Sequence, residues 1–157
     1  MKYILTSLIL LSLSTSAFAS GDLFVTTTSY EVFGGTAQIS ILPPYSSVID
    51  AYQIHSDAVV REYGKRWAFV VNRLFADNIL VLDRNTGFGV VTQYSTSPTG
   101  LNPRDIHVEP VSTPGSGPGR AFITLYESNS LMVCDALTGA NRTAIDAGRS
   151  DLSSSSG

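Results

Sequence analysis

The sequence predicts an all-β protein built from repeated, four-stranded antiparallel sheets, and two observations predict it. First, one segment occurs twice, since residues 68–87 (AFVVNRLFADNILVLDRNTG) align with residues 121–139 (AFITLYESNSLMVCDALTG) across a one-residue gap. Second, short β-branched and aromatic runs are separated by Gly, Pro, Asn and Ser, and no long window carries apolar residues at helical spacing. A repeat of about fifty residues with this pattern is typical of β-sheet units that stack on one another.

The predicted strands fall into three sets, each of which has the pattern of one blade of a β-propeller. The sets cover residues 23–28, 37–42 and 48–54; then 58–61, 68–72, 79–83 and 89–95; then 105–109, 121–126, 131–135 and 142–145. The first set has only three strands, because the pattern contains no inner strand before residue 23. The expected architecture is therefore an incomplete ring of about 2.75 blades.

Two similar turns join the third and fourth strands of the second and third blades. Both turns, at 83–87 and 135–139, begin with Asp and end with Thr-Gly. An Asp side chain can accept a hydrogen bond from the backbone two residues on, and Gly adopts a positive φ without strain. Asp83 and Asp135 are therefore predicted to be turn residues and not catalytic ones. The Pro- and Gly-rich stretch at 113–119 is predicted to be an exposed connection within the third blade.

The order of these motifs carries a family resemblance. An apolar AFVVN strand at 68–72 is followed by NILVLD at 78–83 and by Thr-Gly at 86–87. This order resembles the YVTN-type β-propeller repeat of secreted bacterial proteins, and the resemblance covers about residues 23–146. It implies a relation to the seven-bladed rings of surface-layer and periplasmic binding proteins, with lactonase-type and quinoprotein propellers as neighbours. The first blade departs from the motif because it lacks the Asp-x-x-Thr-Gly turn.

The N-terminus has the pattern of a secretory signal peptide. Lys2 precedes an apolar stretch at 4–13, and Ala17 and Ala19 are the small residues that a signal peptidase reads. The apolar stretch is too short to span a bilayer, so we expect a signal peptide at 1–19 and a secreted, periplasmic or cell-surface protein. Residues 20–157 are then expected to form one partial β-propeller domain, with blades at about 22–54, 57–95 and 105–146.

Composition limits the class of partner. The net charge is −3, and removal of Lys2 with the signal peptide makes it −4, which argues against nucleic acid and against an anionic membrane surface. No membrane span is expected after cleavage. Charged residues are 15% and hydrophobic residues 43% of the chain, which is the composition of a folded protein. The single cysteine, Cys134, aligns with Leu82 and is expected to be a small buried apolar residue.

The candidate site residues lie at the predicted inner strands, which line the central channel of a propeller. Asp57 and Asp105 occupy equivalent places at the start of two inner strands, and His55 and His107 lie two residues from them. Aspartate and histidine together are suitable metal ligands, whereas turn-capping aspartates and strand histidines explain the same residues without a metal. No catalytic residue and no cofactor is predicted, since the chain carries no nucleophile elbow, phosphate loop or dinucleotide fingerprint.

Three functional classes stay open. The fold favours a binding or interaction scaffold whose partner is an unidentified protein or surface ligand. The other two classes are a fragment of a lactonase-type or quinoprotein-type propeller enzyme, and a fragment without function. Because a propeller needs about four blades to close, we expect the N-terminal part of a longer, truncated propeller, with a ring assembled from several copies as the rival. Exposed blade faces are expected to favour self-association.

Overall fold

The computed structural model describes residues 22–28, 33–49, 52–99, 102–111, 117–126 and 128–148. The predicted signal peptide at 1–19 and most of the predicted connection at 113–119 lie outside these residues. The described residues form twelve β-strands and one turn of 3-10 helix at Arg84–Thr86. No helix among them is long and apolar enough to cross a membrane.

The strands form three four-stranded antiparallel sheets, which confirms the predicted all-β fold of blade-like units. Blade 1 contains β1 (Asp22–Thr27), β2 (Phe33–Ser40), β3 (Ser47–Ile49) and β4 (Ile54–His55). Blade 2 contains β5 (Ala58–Tyr63), β6 (Trp67–Asn72), β7 (Asn78–Asp83) and β8 (Gly89–Ser95). Blade 3 contains β9 (Pro103–Pro110), β10 (Pro118–Leu125), β11 (Ser130–Asp135) and β12 (Thr143–Asp146). The strands of the described ranges close no barrel.

Blade 1 differs from the prediction of a single strand at 48–54. The structure has two short strands there, β3 and β4, and both pair with β2. β3 pairs with residues 37–39 of β2, and β4 pairs with residues 33–34. The hydroxyl of Thr36 accepts a hydrogen bond from Tyr52 N (2.8 Å) and donates one to Tyr52 O (3.0 Å). The predicted strand is split because a side chain replaces the backbone ladder at this point.

The two repeated segments occupy equivalent positions in three dimensions. Phe69 on β6 pairs with Val81 on β7, and Phe122 on β10 pairs with Val133 on β11. The two pairs of neighbouring blades also stack in the same way. β1 of blade 1 contacts β5 of blade 2, and β6 of blade 2 contacts β9 of blade 3. β1 is therefore the second strand of its blade. The predicted absence of an inner strand before residue 23 concerns residues that lie outside the described part of the chain.

Two apolar cores lie on the two faces of blade 2. Side chains alternate along a strand, so Phe69 and Val71 point toward blade 3, whereas Ala68 and Val70 point toward blade 1. Among the described residues, the core between blades 2 and 3 has thirteen buried members and the core between blades 1 and 2 has six. Blade 2 is thus buried on both faces, and blades 1 and 3 each leave one face open.

The turn at 83–87 and the cysteine follow the sequence prediction, whereas at the turn at 135–139 the Asp135 side chain accepts a hydrogen bond from Asn141 Nδ2 (2.6 Å). Asp83 Oδ1 accepts a hydrogen bond from Asn85 N (2.9 Å), and Gly87 and Gly139 end the two turns with φ of 69° and 67°. Cys134 is fully buried between blades 2 and 3, and burial raises the pKa of its thiol. The cysteine therefore acts as a small apolar residue of this core, as predicted.

A tyrosine of each of the first two blades reaches the turn of the next blade. Tyr52 Oη donates to Phe88 O (2.6 Å), and Tyr94 Oη donates to Ala136 O (3.2 Å). Burial raises the pKa of the Tyr94 phenol, so this hydroxyl stays a donor at neutral pH. The Tyr94 ring also lies against Gly139, where a Cβ would be 2.4 Å from Tyr94 Cγ. These contacts fix the spacing of consecutive blades.

Candidate functional site

Of the predicted channel residues, His55 ends β4 and Asp57 lies in the turn before β5. Arg73 Nη2 pairs with Asp57 Oδ1, and Arg73 Nε donates to Asp57 O (3.0 Å). Asp57 N donates to His55 Nδ1 (3.3 Å), which leaves the proton of the neutral ring on Nε2. The Asp57 carboxylate is therefore engaged by an arginine, and the turn is attached to the end of β6.

The other two predicted residues, Asp105 and His107, lie on β9. Arg61 on β5 forms a bidentate ion pair with Asp105, with Nε–Oδ1 at 2.8 Å and Nη2–Oδ2 at 3.0 Å. These bonds from Arg61, with one from Ile106 N, hold the pKa of the Asp105 carboxyl below its usual range. His107 Nε2 lies 2.7 Å from Glu109 Oε1, and both side chains are exposed. Asp105 thus links the first strands of blades 2 and 3.

The four residues do not converge on one centre in the described part of the chain. No group of three or more His, Cys, Asp or Glu side chains there is placed to hold a metal ion. Both aspartates have arginine partners, and His107 lies beside Glu109 instead of beside Asp57 or His55. The assignment of these residues to a channel site stays a prediction.

A row of side-chain amides that the sequence did not suggest crosses blade 2 beside blade 1. Asn78 Oδ1 on β7 accepts from Asn72 Nδ2 on β6 and from Gln93 Nε2 on β8, both at 2.8 Å. Asn72 Oδ1 accepts from His55 N (3.1 Å), and Asn78 Nδ2 donates to Ala76 O (2.8 Å). We call Asn72, Asn78 and Gln93 the amide row. The available sequence signal was an asparagine at each side of the turn between two apolar strands.

The loop at 73–77 borders the amide row and has a strained backbone. Leu74, Phe75 and Asp77 have φ of 45°, 71° and 48°, and a non-glycine residue in this region costs about 1–3 kcal/mol. Asn102 holds the loop from blade 3, since its N donates to Asp77 Oδ1 (2.7 Å) and its Oδ1 accepts from Leu74 N (3.1 Å). The loop presents Phe75 to solvent with 93% of the residue exposed.

The open face of blade 1 is apolar and uncharged. Its members are the side chains of β1 to β3 that point away from blade 2: Leu23, Val25, Thr27, Gly35, Ala37, Ile39, Ser47 and Ile49. Leu23 is 52% exposed and Ile49 is 71% exposed, and no member of the set is charged. On blade 2 the corresponding face packs on blade 1 and buries Val70 and Leu82 completely. The blade 1 face thus has the composition of a contact between blades.

The open face of blade 3 has a different composition. The strand registers of blades 2 and 3 correspond, so each residue of this face has an equivalent on the blade 2 face that is buried against blade 3. Three residues of that blade 2 face are replaced here: Trp67 by Arg120, Val71 by Thr124 and Tyr94 by Ile145. Arg120 and Thr124 are exposed, and β9 adds the charged side chains of Asp105 and Glu109. The blade 3 face is therefore suited to water.

The chain has no match among protein-family models. It also has no match among curated proteins or among solved structures.

Proposed function

We propose that the protein is a binding scaffold that self-associates, with two copies meeting through the open faces of their first blades. The observation that carries this proposal is the exposure of Leu23 and Ile49 on a face with no charged residue. Contiguous exposed apolar patches mark interaction surfaces. Blade 2 buries the corresponding face against another sheet, which supports a sheet as the cover of the blade 1 face.

Charge supports a two-fold arrangement in which both copies contribute the same face. Such a pairing covers no charged member of the face. A head-to-tail pairing with blade 3 of another copy would instead cover the exposed charged side chains of Arg120 and Glu109, and the desolvation of charged groups on burial is costly. A two-fold contact also closes after two copies, whereas a head-to-tail contact continues. The partner that fits best is therefore a second copy of the same face.

The size of the face sets the expected affinity. β1 has six residues, so the three-stranded face measures roughly 20 by 14 Å. This area is well below the roughly 800 Å² per partner of a standard interface. We therefore expect micromolar association, with monomer and dimer both populated within about 1 to 100 µM.

Sedimentation equilibrium of the chain without its first nineteen residues tests this proposal. We expect the average mass to rise from one chain to two across about 1 to 100 µM. Because the face is uncharged, the midpoint should change little between low and high salt. A mass of one chain at every concentration would contradict the proposal, and so would association that is lost in high salt.

We also propose that the protein is exported and that its repeat is of the YVTN type. The charged, apolar and small-residue regions at 1–19 support export, and the repeated strand pair with its Asp-x-x-Thr-Gly turn supports the repeat type. N-terminal sequencing of the chain expressed in a bacterium tests export. The mature protein should begin at Ser20 in the periplasm or medium, and an uncleaved chain in the cytoplasm would contradict export.

A further inference from the structure

A groove between blades 1 and 2 has the size of a small-molecule site. Its volume is about 480 Å³, and its walls include Phe33, Gln53, His55, Asn72, Asn78 and Gln93. Sites for small ligands have volumes of roughly 300–1,000 Å³. The groove lies at the end of the blade 1–blade 2 contact and is separate from the open face of blade 1.

The amide row gives this groove fixed polar groups. The oxygen of Asn78 receives two N–H groups and its own N–H₂ is held by Ala76 O, so its orientation is set. Gln93 is exposed and uses Nε2 for Asn78, which directs the remaining donor and acceptor capacity of its amide outward. A ligand therefore meets donors and acceptors whose positions are determined before it binds, which lowers the entropic cost of binding.

The described walls of the groove carry no Asp, Glu, Lys or Arg. A phosphate, carboxylate or ammonium group would therefore find no counter-charge. Amides both donate and accept, as adjacent hydroxyl groups of a sugar do. The Phe33 ring, which belongs to a residue that is 57% exposed, offers an apolar surface for the C–H face of a sugar ring.

The strained loop at 73–77 also borders the groove. Its residue Ala76 lines the groove, and three of its residues have positive φ. Backbone strain persists where the surrounding structure holds it, and it concentrates at binding sites. The same loop holds the amide row through Ala76 O and exposes Phe75 to solvent.

We propose that this groove binds a neutral saccharide, with Gln93 of the amide row bonding the sugar hydroxyls and Phe33 contacting the ring. The site goes beyond the self-association proposed above and does not depend on it.

An NMR chemical-shift titration tests the groove directly. The probes are cellotriose, maltotriose and triacetylchitotriose, with trigalacturonate as the charged comparison, each to about 10 mM. We expect saturable shifts of groove residues with at least one neutral probe and none with trigalacturonate. The proposal is overturned if no neutral probe binds by about 10 mM, or if trigalacturonate binds as tightly as the best neutral probe.

Two variants and a matched control assign the binding to the groove. Gln93→Ala removes an exposed member of the amide row, and Phe33→Ala removes the ring surface; each should weaken binding about tenfold or more. Gln38→Ala removes an amide on β2 that bonds Asp22 and should leave the affinity unchanged. Equal affinity in Gln93→Ala, Phe33→Ala and the natural chain, with the fold intact by circular dichroism, would also overturn the proposal.

Discussion

The open faces of blades 1 and 3 both belong to four-stranded antiparallel sheets, yet they differ in chemistry. Blade 1 presents Leu23 and Ile49 on a face without charge. Blade 3 keeps the phenylalanine of the repeat, Phe122, but places Arg120 and Thr124 where blade 2 has Trp67 and Val71. Blades 2 and 3 share their strand register, so the register does not decide whether a face is apolar. The residues at the equivalent positions decide it.

The replaced positions on blade 3 also lack the inter-blade hydrogen bond. Tyr94 of blade 2 bonds the turn of blade 3, and the register places Ile145 at the equivalent position. In stacked repeats, a polar outer face is the mark of a unit adapted to solvent. Blade 3 has this mark and blade 1 does not, which is the contrast that supports the proposed contact through blade 1.

The largest expected difference lies between the two repeat-equivalent phenylalanines. Phe69 is fully buried between blades, so Phe69→Ala should lower the free energy of unfolding by about 3–5 kcal/mol. Phe122 is only half-buried on the open face, so Phe122→Ala should cost about 1–2 kcal/mol. Urea unfolding measures both. Equal losses would show that the blade 3 face is covered in solution, contrary to the comparison.

A pair of glycines tests how blade 3 is attached to blade 2. A Cβ at Gly139 would meet the Tyr94 ring at 2.4 Å, whereas a Cβ at Gly64 would meet nothing within 4 Å, and both residues have positive φ. Gly64→Ala should therefore cost only the backbone strain, about 1 kcal/mol. Gly139→Ala adds the steric conflict and should cost about 2–4 kcal/mol. Similar midpoints of thermal unfolding for the two variants would contradict the packing of Tyr94 on this turn.

Reversal of the replacements should convert the blade 3 face into a binding face. The variant with Arg120→Trp, Thr124→Val and Ile145→Tyr restores the residues of blade 2 at these three positions. Because the three replacements make the blade 3 face more apolar, although Asp105 and Glu109 remain on it, we expect assemblies larger than a dimer, with association about tenfold tighter or more. Size-exclusion chromatography with light scattering measures this. An unchanged mass would show that the polar residues do not protect blade 3.

The smallest expected effect concerns the two repeat-equivalent aspartates. Arg66 bonds Asp83 at 3.0 and 2.7 Å and, with a bond from Asn85 N, lowers the pKa of this carboxyl. A carboxyl whose folded-state pKa is lowered stabilises the protein above the unfolded pKa, about 3.9, and this contribution is lost as the pH falls through the folded pKa. Asp83→Asn should therefore cost about 1 kcal/mol at pH 7 and less near pH 3.

Asp135 provides the control for this prediction. It occupies the same repeat position on blade 3 but bonds Asn141 Nδ2 (2.6 Å) instead of an arginine. Asp135→Asn should change the stability less than Asp83→Asn at pH 7. Urea unfolding at pH 7 and pH 3 gives both values, and a loss for Asp83→Asn that does not shrink in acid would contradict the role of Arg66.

The features that could be predicted from the sequence are those that depend on residues close together along the chain. The strands of blades 2 and 3, the Asp and Gly positions of the turns, and the burial of Cys134 all follow from local pattern and from the repeat. The split of the strand at 48–54 depends on the Thr36 hydroxyl, and the Arg61–Asp105 pair joins residues of different blades. Local pattern contains neither contact, so both escaped prediction.

The candidate site was harder to predict than the fold for the same reason. The amide row exists only because the register of three strands brings Asn72, Asn78 and Gln93 together. Of the predicted channel residues, Asp57 and Asp105 have arginine partners that are distant in sequence, and local pattern does not contain these pairs. The contrast between the open faces became visible only when register showed which residues of blades 2 and 3 correspond.

The most direct test places the same charge on each open face in turn. Ile49 on blade 1 and Ile145 on blade 3 are both exposed isoleucines of short strands, so Ile49→Lys and Ile145→Lys are matched variants. In sedimentation equilibrium, Ile49→Lys should stay a monomer up to about 100 µM, while Ile145→Lys should form the dimer as the natural chain does. The proposed assignment of blade 1 as the binding face would be contradicted if Ile49→Lys dimerised over the same concentration range as the natural chain. It would also be contradicted if Ile145→Lys alone failed to dimerise.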